Sequence, residues 1–143
     1  KLKSSNCSAF VQRLATLHYG LNYTPGSACT SSTENFGTIN NVVWQYGVDH
    51  PGDFENSLVP GVAITMKTPG NSVLNCEPSH VVLYIGKLNG TTHYIIHQWG
   101  SKVLIEPLYK SEGGRFTYTD NIYQVVIPRD GYALYSEYSS KIA

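Results

Sequence analysis

The middle of the chain carries a β-hairpin signal, which limits the possible folds more than any other feature of the sequence. The run His80 to Ile85 is rich in β-branched and aromatic residues and predicts a buried strand. Asn89-Gly90 is a residue pair favoured in tight hairpin turns, and the segment Thr92 to Gln98 predicts the returning strand. We therefore expect an antiparallel pair of strands at the centre of the fold.

Further strands are predicted on both sides of this hairpin. Pro60-Gly61 introduces a short apolar run that predicts a strand over Val62 to Met66. Two later runs, Val103 to Ile105 and Tyr123 to Ile127, predict two more strands, joined by a polar loop. Because consecutive strands are separated by short turn signals, the second half of the chain is expected to form an antiparallel meander.

The N-terminal part of the chain has the residue spacing of helices instead. An apolar stripe from Phe10 to Leu17, with Gly20 as a stop signal, predicts an amphipathic helix. A second helix is predicted over Ile39 to Tyr46, ended by Gly47. Helices followed by an antiparallel meander predict the α+β class, and the length suits a single domain over residues 1–143.

The charge balance excludes several classes of partner. Ten basic and ten acidic residues leave no net charge, so we expect no binding to nucleic acid or to an anionic membrane surface. No apolar run approaches the ~20 residues of a membrane span. Eleven tyrosines beside few charged residues are typical of an exported domain, and we expect a monomer.

Cys7 lies at the predicted first turn of the N-terminal helix. Ser4, Ser5 and Asn6 are all suitable N-cap residues, and the helical stripe places Cys7 on the buried side. The positive end of a helix favours a thiolate, so we expect the pKa of Cys7 to lie below about 8.5. The alternative is that Cys7 is only a small buried residue at a helix start.

The predicted hairpin can bring two histidines together. Strand alternation places His80 and Tyr84 on one face, and His93 and His97 on one face of the next strand. If the faces coincide, His80 and His97 lie side by side on the surface that the Cys7 helix covers. A cysteine, a histidine that takes its proton and a third group that orients the histidine form a thiol nucleophile.

Two alternatives for these residues stay open. Cys7, His80 and His97 could hold zinc with one open position, but no CxxC, HxxH or HExxH spacing supports a metal site, so no cofactor is expected. His93 could line the same cleft as His97, or it could have a structural role, which we favour. Trp99 follows His97 closely enough to contact a substrate.

Four motifs, in order, resemble the NlpC-type papain-like cysteine peptidases and the related cell-wall amidase toxins, which include type VI secretion amidase effectors and secreted eukaryotic relatives. They are Asn6-Cys7-Ser8-Ala9-Phe10-Val11 at a helix start, Pro60-Gly61 before a strand, His80-Val81-Val82-Leu83-Tyr84-Ile85-Gly86, and Ile95-Ile96-His97. The resemblance covers about residues 6 to 100. The family pattern has glycine where this chain has Ala9.

This resemblance implies a papain-like fold and a peptidoglycan amidase that cuts an amide bond in stem peptides or cross-links. Cys7 would be the nucleophile, His80 the general base and His97 the orienting residue, with the Cys7 amide at the oxyanion. Gln98, Ser79 and Tyr84 would join Trp99 as substrate contacts. The protein would be antibacterial and secreted, or delivered to the periplasm or cell wall, with an immunity protein as a possible partner of a bacterial effector.

Two other functional hypotheses remain open beside the amidase. A non-catalytic cell-wall-binding module would keep the cleft without the chemistry, and a thiol acyltransferase would use an amine in place of water. The odd number of cysteines leaves one thiol over if two pair. Because Cys29 and Cys76 lie in turn-rich segments of an exported-looking chain, we predict that they form a disulfide and that Cys7 stays free. Reduced, unpaired cysteines are the alternative.

Overall fold

The structure is a computed structural model that describes residues 6–28, 35–68, 79–131 and 135–137. Short 3-10 turns cover Pro51–Asp53, Glu55–Ser57, Lys110–Glu112 and Arg129–Gly131. No helix in these ranges is long and apolar enough to cross a membrane. The longer elements, in chain order, are α1 (Asn6–Tyr19), α2 (Phe36–Ile39), β1 (Asn41–Gln45), β2 (Ala63–Lys67), β3 (Ser79–Leu88), β4 (Thr92–Trp99), β5 (Lys102–Pro107), α3 (Tyr118–Asn121) and β6 (Ile122–Ile127).

The strands form one antiparallel sheet in the order β1-β6-β2-β3-β4-β5. Strands β2 to β5 are neighbours in both sequence and space, as a meander requires. The last strand, β6, returns to lie between β1 and β2, so the predicted meander holds for β2 to β5 and is wrong for β6. The predicted α+β class is therefore confirmed, and the five predicted strands all occur.

The helix predicted over Ile39 to Tyr46 is wrong. Only Phe36–Ile39 is helical, and Asn41–Gln45 forms β1, which pairs with β6. The β-branched residues Val42 and Val43 fit a strand, and β6 supplies the backbone partners that an isolated segment of this length lacks. A register shift between Val42 and Trp44 turns the Trp44 indole into the core.

Helix α1 packs on one face of the sheet, which we call the helix face. This face carries Val81 and Leu83 of β3. Leu17 is 78% exposed, so the prediction that it belongs to the buried stripe is wrong. It lies six residues after Val11, about 120° away around the helix, and therefore outside the buried stripe. The α1 side chains that belong to the core on this face are Cys7, Val11, Leu14, Ala15 and Tyr19.

The other side of the sheet, which we call the loop face, carries the larger core. Val82 and Tyr84 of β3 and Ile95 of β4 point to this side. It is covered by the segments that follow β1 and β5, which contribute Phe54, Leu58, Val59, Leu108 and Phe116. Because neighbouring residues of a strand face opposite sides, a shift of one position along β3 exchanges one core for the other.

Two turns hold the strands in this register. Asn89 and Gly90 have φ values of 62° and 84°, the left-handed geometry of the predicted tight hairpin, which is confirmed. Gly61, in the turn before β2, has a φ of 103°. This turn therefore favours glycine for its conformation, and a Cβ atom there would lie 2.8 Å from Leu21 Cδ1, so the Leu21 side chain would have to move.

Of the three cysteines, the described ranges contain Cys7, which is not in a disulfide. Cys29 and Cys76 lie outside the described residues. The disulfide between them therefore stays a prediction.

Candidate active site

Cys7 is the second residue of α1 and lies half-buried against the helix face of the sheet. Burial raises the pKa of the Cys7 thiol, and the backbone amides of Val81, Ser8 and Cys7 itself lower it by less. The predicted lowering of this pKa is therefore wrong. The apolar side chains around Cys7 disfavour the thiolate more strongly than the helix terminus favours it.

His80 and His97 lie side by side in the structure. Strands β3 and β4 are neighbours, and His80 Nε2 is 2.7 Å from His97 Nδ1. Both side chains are buried, with exposed fractions of 6% for His80 and 0% for His97. His80 pairs across β2 with Met66, a residue of the loop-face core, so the two imidazoles belong to the loop face.

The sheet separates these imidazoles from the Cys7 thiol. His80 alternates with Val81, so its ring points to the loop face while Cys7 packs on the helix face. The prediction that the Cys7 helix covers the surface of the two histidines is therefore wrong. Among the described residues, no hydrogen bond joins the thiol to the His80 ring. The thiol nevertheless reaches the backbone amide of Val81, the residue directly after His80.

Glu106 and Arg115 extend the histidine pair into a chain of four groups, and sequence reasoning missed both. His97 Nε2 is 2.7 Å from Glu106 Oε2. Arg115 Nε donates to the same oxygen at 2.8 Å, and Arg115 Nη2 donates to Glu106 Oε1 at 3.4 Å. We call His80, His97 and Glu106 the relay. A single acidic residue at the end of the apolar strand β5 was the available signal for Glu106, whereas Arg115 lies in a polar loop.

Both histidines of the relay are neutral at pH 7. Burial lowers the pKa of His80 to about 3, and repulsion between a protonated His80 and the cationic forms of His97 and Arg115 contributes to the lowering. Burial also lowers the pKa of His97, and the hydrogen bond with Glu106 opposes this only in part. Burial raises the pKa of Glu106, but the hydrogen bonds from Arg115 and His97 outweigh it, so that pKa lies below its usual range and the carboxylate is ionised.

Aromatic rings enclose the relay. The Trp99 ring centroid lies 5.2 Å from that of His80 and 5.7 Å from that of His97. The Phe116 ring also contacts both imidazoles, with centroid distances of 6.1 Å to His80 and 5.8 Å to His97. Arg115 Cζ lies 4.8 Å from the centre of the Trp99 ring, a cation–π contact that covers the relay. These rings exclude water from the histidines and account for their lowered pKa values.

The predicted substrate contacts are found in different environments. Trp99 is half-buried beside the relay. Gln98, its neighbour on β4, points to the opposite face of the sheet and donates to the Gly100 carbonyl at 3.4 Å. Tyr84 is 2% exposed, and its hydroxyl is 2.7 Å from His93 Nδ1. Ser79 is the first residue of β3, and its side chain lies outside the described set.

His93 belongs to a second chain of polar groups on the loop face. Its Nδ1 contacts the Tyr84 hydroxyl, and its Nε2 lies 3.1 Å from Glu55 Oε1. Tyr109 donates to Glu55 Oε2 at 3.0 Å. These bonds attach the turn at Glu55 to β3 and β4, which agrees with the structural role that we favoured for His93.

Within the described residues, no group of three or more His, Cys, Asp or Glu side chains is arranged to hold a metal ion. Comparison of the chain with known protein families, with curated proteins and with solved structures finds no match. The site itself defines an α+β protein in which a buried His-His-Glu relay lies on one face of the sheet and a cysteine at the start of a helix packs on the other.

Proposed function

We propose that the protein is a cysteine-dependent amidase of the NlpC type, acting on peptides of bacterial peptidoglycan. The observation that carries the proposal is the relay, which uses His80 Nε2, while no described residue forms a hydrogen bond with His80 Nδ1. That nitrogen belongs to the residue before Val81, whose amide stabilises the Cys7 thiolate. The substrate class comes from the sequence resemblance, in which peptidoglycan stem peptides and cross-links are cut.

The reaction uses the thiol and the relay in two stages. His80 Nδ1 accepts the proton of Cys7, and the thiolate attacks the amide carbonyl carbon while the Cys7 backbone amide binds the oxyanion. The tetrahedral intermediate expels the amine, which takes the proton from His80, and a thioester remains on Cys7. Water, deprotonated by His80, then releases the acid and restores the thiol. Because both groups start neutral, the proton moves during attack rather than beforehand.

This reaction requires a hydrogen bond between Cys7 and His80 that is not formed in the structure. The thiol and His80 Nδ1 must come within about 2.6–3.2 Å, directly or through one water. Both residues lie second in their elements, at the start of α1 and of β3, so the approach takes place around the end of β3. In catalytic sites without substrate, such hydrogen bonds are often long and form only when the substrate binds.

The test is mass spectrometry of peptides released from purified peptidoglycan sacculi. We expect the wild-type protein to release stem-peptide fragments, Cys7→Ser to release none, and His80→Gln to be slower by roughly 10²–10⁴-fold. His18→Gln is the matched control, because His18 is an exposed histidine on α1. During turnover, the Cys7 peptide should carry the mass of an acyl fragment.

Two results would count against the proposal. Release by Cys7→Ser at the wild-type rate would exclude a thiol mechanism. A wild-type protein that binds sacculi and releases nothing would favour the wall-binding module instead. A product in which an added amine replaces water would identify the acyltransferase.

A further inference from the structure

We propose that Glu106 and Arg115 are positioning residues that set the direction of the proton relay, so that the lone pair is presented at His80 Nδ1. The structure supports this assignment through distances and burial alone. Its catalytic meaning rests on the amidase proposed above, but the protonation pattern that it specifies exists whether or not the protein cuts peptidoglycan.

The direction begins at Glu106. An ionised carboxylate only accepts hydrogen bonds, and a guanidinium only donates them. Glu106 Oε2 accepts from Arg115 Nε at 2.8 Å and lies 2.7 Å from His97 Nε2. His97 Nε2 must therefore carry the proton. Since His97 is 0% exposed, no water competes for this nitrogen.

The pattern then passes to His80. In a neutral imidazole only one nitrogen carries a proton, so His97 Nδ1 is an acceptor once Nε2 is protonated. His80 Nε2 lies 2.7 Å from that acceptor and must donate to it. The same rule applied to His80 leaves the lone pair on Nδ1. One carboxylate thus sets the tautomer of two rings in series.

Arg115 determines whether the side chain at position 106 presents an oxygen atom or an N–H group to His97. Its Nε approaches the same oxygen that faces His97, so an N–H group placed there would meet a donor at 2.8 Å. In Glu106→Gln, Arg115 should therefore hold the amide oxygen toward His97 and keep the tautomers unchanged. When Arg115 is also removed, the side-chain amide introduced by Glu106→Gln can rotate and offer its NH₂ group, which reverses the relay.

The experiment is two-bond ¹H–¹⁵N correlation spectroscopy of ¹⁵N-histidine-labelled protein at pH 7, with His80 and His97 assigned by their Gln variants. We expect both rings of the wild-type protein to be protonated at Nε2 and unprotonated at Nδ1. Glu106→Gln and Arg115→Met should each keep this pattern. Glu106→Met and the double variant Glu106→Gln/Arg115→Met should lose it, giving a mixture or the reversed tautomer at His80.

A wild-type His80 protonated at Nδ1 would overturn the proposal. It would also be overturned if the Nε2 tautomers of His80 and His97 persisted in a folded Glu106→Met protein. If Glu106→Met does not fold, the double variant Glu106→Gln/Arg115→Met provides the test. Unchanged tautomers of His80 and His97 in the double variant would contradict the role of Arg115.

Activity gives a separate readout that leaves the two proposals distinguishable. If the amidase proposal holds, Glu106→Met should slow turnover by roughly 10²-fold or more, while Glu106→Gln should keep a larger share. If the tautomers are as expected but the protein releases no peptide, the relay proposal stands and the amidase proposal fails. If the protein releases peptide while His80 is protonated at Nδ1, the amidase proposal stands and the relay proposal fails.

Discussion

Cys7 shows how two opposing effects on one side chain are decided by burial. A helix N-terminus stabilises a nearby negative charge by about 0.3–1 kcal/mol at exposed sites and up to ~2 kcal/mol at partly buried ones. Desolvation of a buried group can shift its pKa by up to 3–5 units, which corresponds to several kcal/mol. Because Cys7 packs against the apolar helix face, the second effect dominates and the resting thiol is protonated.

This gives a prediction at the residue scale. The pKa of Cys7, measured from the pH dependence of its alkylation by iodoacetamide, should lie above the ordinary value of a cysteine thiol. Mass spectrometry of the Cys7 peptide separates its reaction from that of the other cysteines. A pKa below 7 would instead indicate a preformed thiolate–imidazolium pair, and His80→Gln should then raise it.

At the scale of elements, one tyrosine ties the segment after α1 to two parts of the sheet. The Tyr23 hydroxyl lies 2.8 Å from the Gly61 carbonyl and 3.0 Å from the Val126 carbonyl, and the side chain is 4% exposed. It therefore connects the turn before β2 and strand β6 to the segment that follows α1. Its ring also packs against Phe36 of α2, with the two centroids 5.2 Å apart.

We expect Tyr23→Phe to lower the free energy of unfolding by about 1–3 kcal/mol, because it leaves buried carbonyl groups without their hydroxyl donor. Urea denaturation followed by circular dichroism measures this change. Tyr94→Phe is the control, since Tyr94 is half-buried and its hydroxyl bonds to no described residue. Its effect should stay within about 0.5 kcal/mol. Equal losses in the two variants would contradict the role given to Tyr23.

At the scale of the whole molecule, the buried relay makes stability depend on pH. The pKa of His80 falls from its ordinary 6.5 to about 3 in the folded protein, and that of His97 is also lowered. Unfolded imidazoles take up protons below pH 6.5 while the folded ones stay neutral, so unfolding binds protons in this window. The stabilisation is therefore complete above pH 6.5 and is lost as the pH falls toward 3.

For His80 alone, the expected slope of the free energy of unfolding against pH, between about 4.5 and 6.5, is up to ~1.4 kcal/mol per pH unit, and the lowered pKa of His97 adds to it in the same direction. Urea denaturation at a series of pH values measures it. His80→Gln should reduce the slope, whereas the control His18→Gln, which replaces a histidine outside the relay, should leave the contribution of the relay in place. A flat profile across this range would show that the two imidazoles are not held neutral.

The predicted disulfide also belongs to the whole molecule, because it would join segments far apart in the chain. Closing a loop of this length contributes up to about 4 kcal/mol by the chain-entropy estimate, less any strain. Thiol titration of the denatured, unreduced protein should find one reactive thiol, that of Cys7. Three reactive thiols would remove both the bridge and part of the argument for export.

The sequence by itself determined the N-terminal helix, the strands β2 to β6, the central hairpin and the pairing partners of the middle strands. These depend on local signals, such as Asn89-Gly90 and the apolar runs beside it, which act over a few residues and survive without the rest of the chain. The segment Asn41–Gln45 had no such signal, and its pairing with β6 made it a strand. Alternation along β3 and β4 allowed His80 and His97 to meet if the two faces coincide, and the register of the hairpin brings them together.

Only the tertiary structure determined which of the two cores the side chains on each face of β3 and β4 join. Alternation says that His80 and Val81 point apart, but only the docking of α1 determines that Cys7 joins Val81 rather than His80. The same holds for Arg115, whose loop position carries no signal until β5 brings Glu106 beside it. Side-chain pairs between distant segments depend on how whole elements pack, and packing free energy is shared among too many residues to be read from any one stretch of chain.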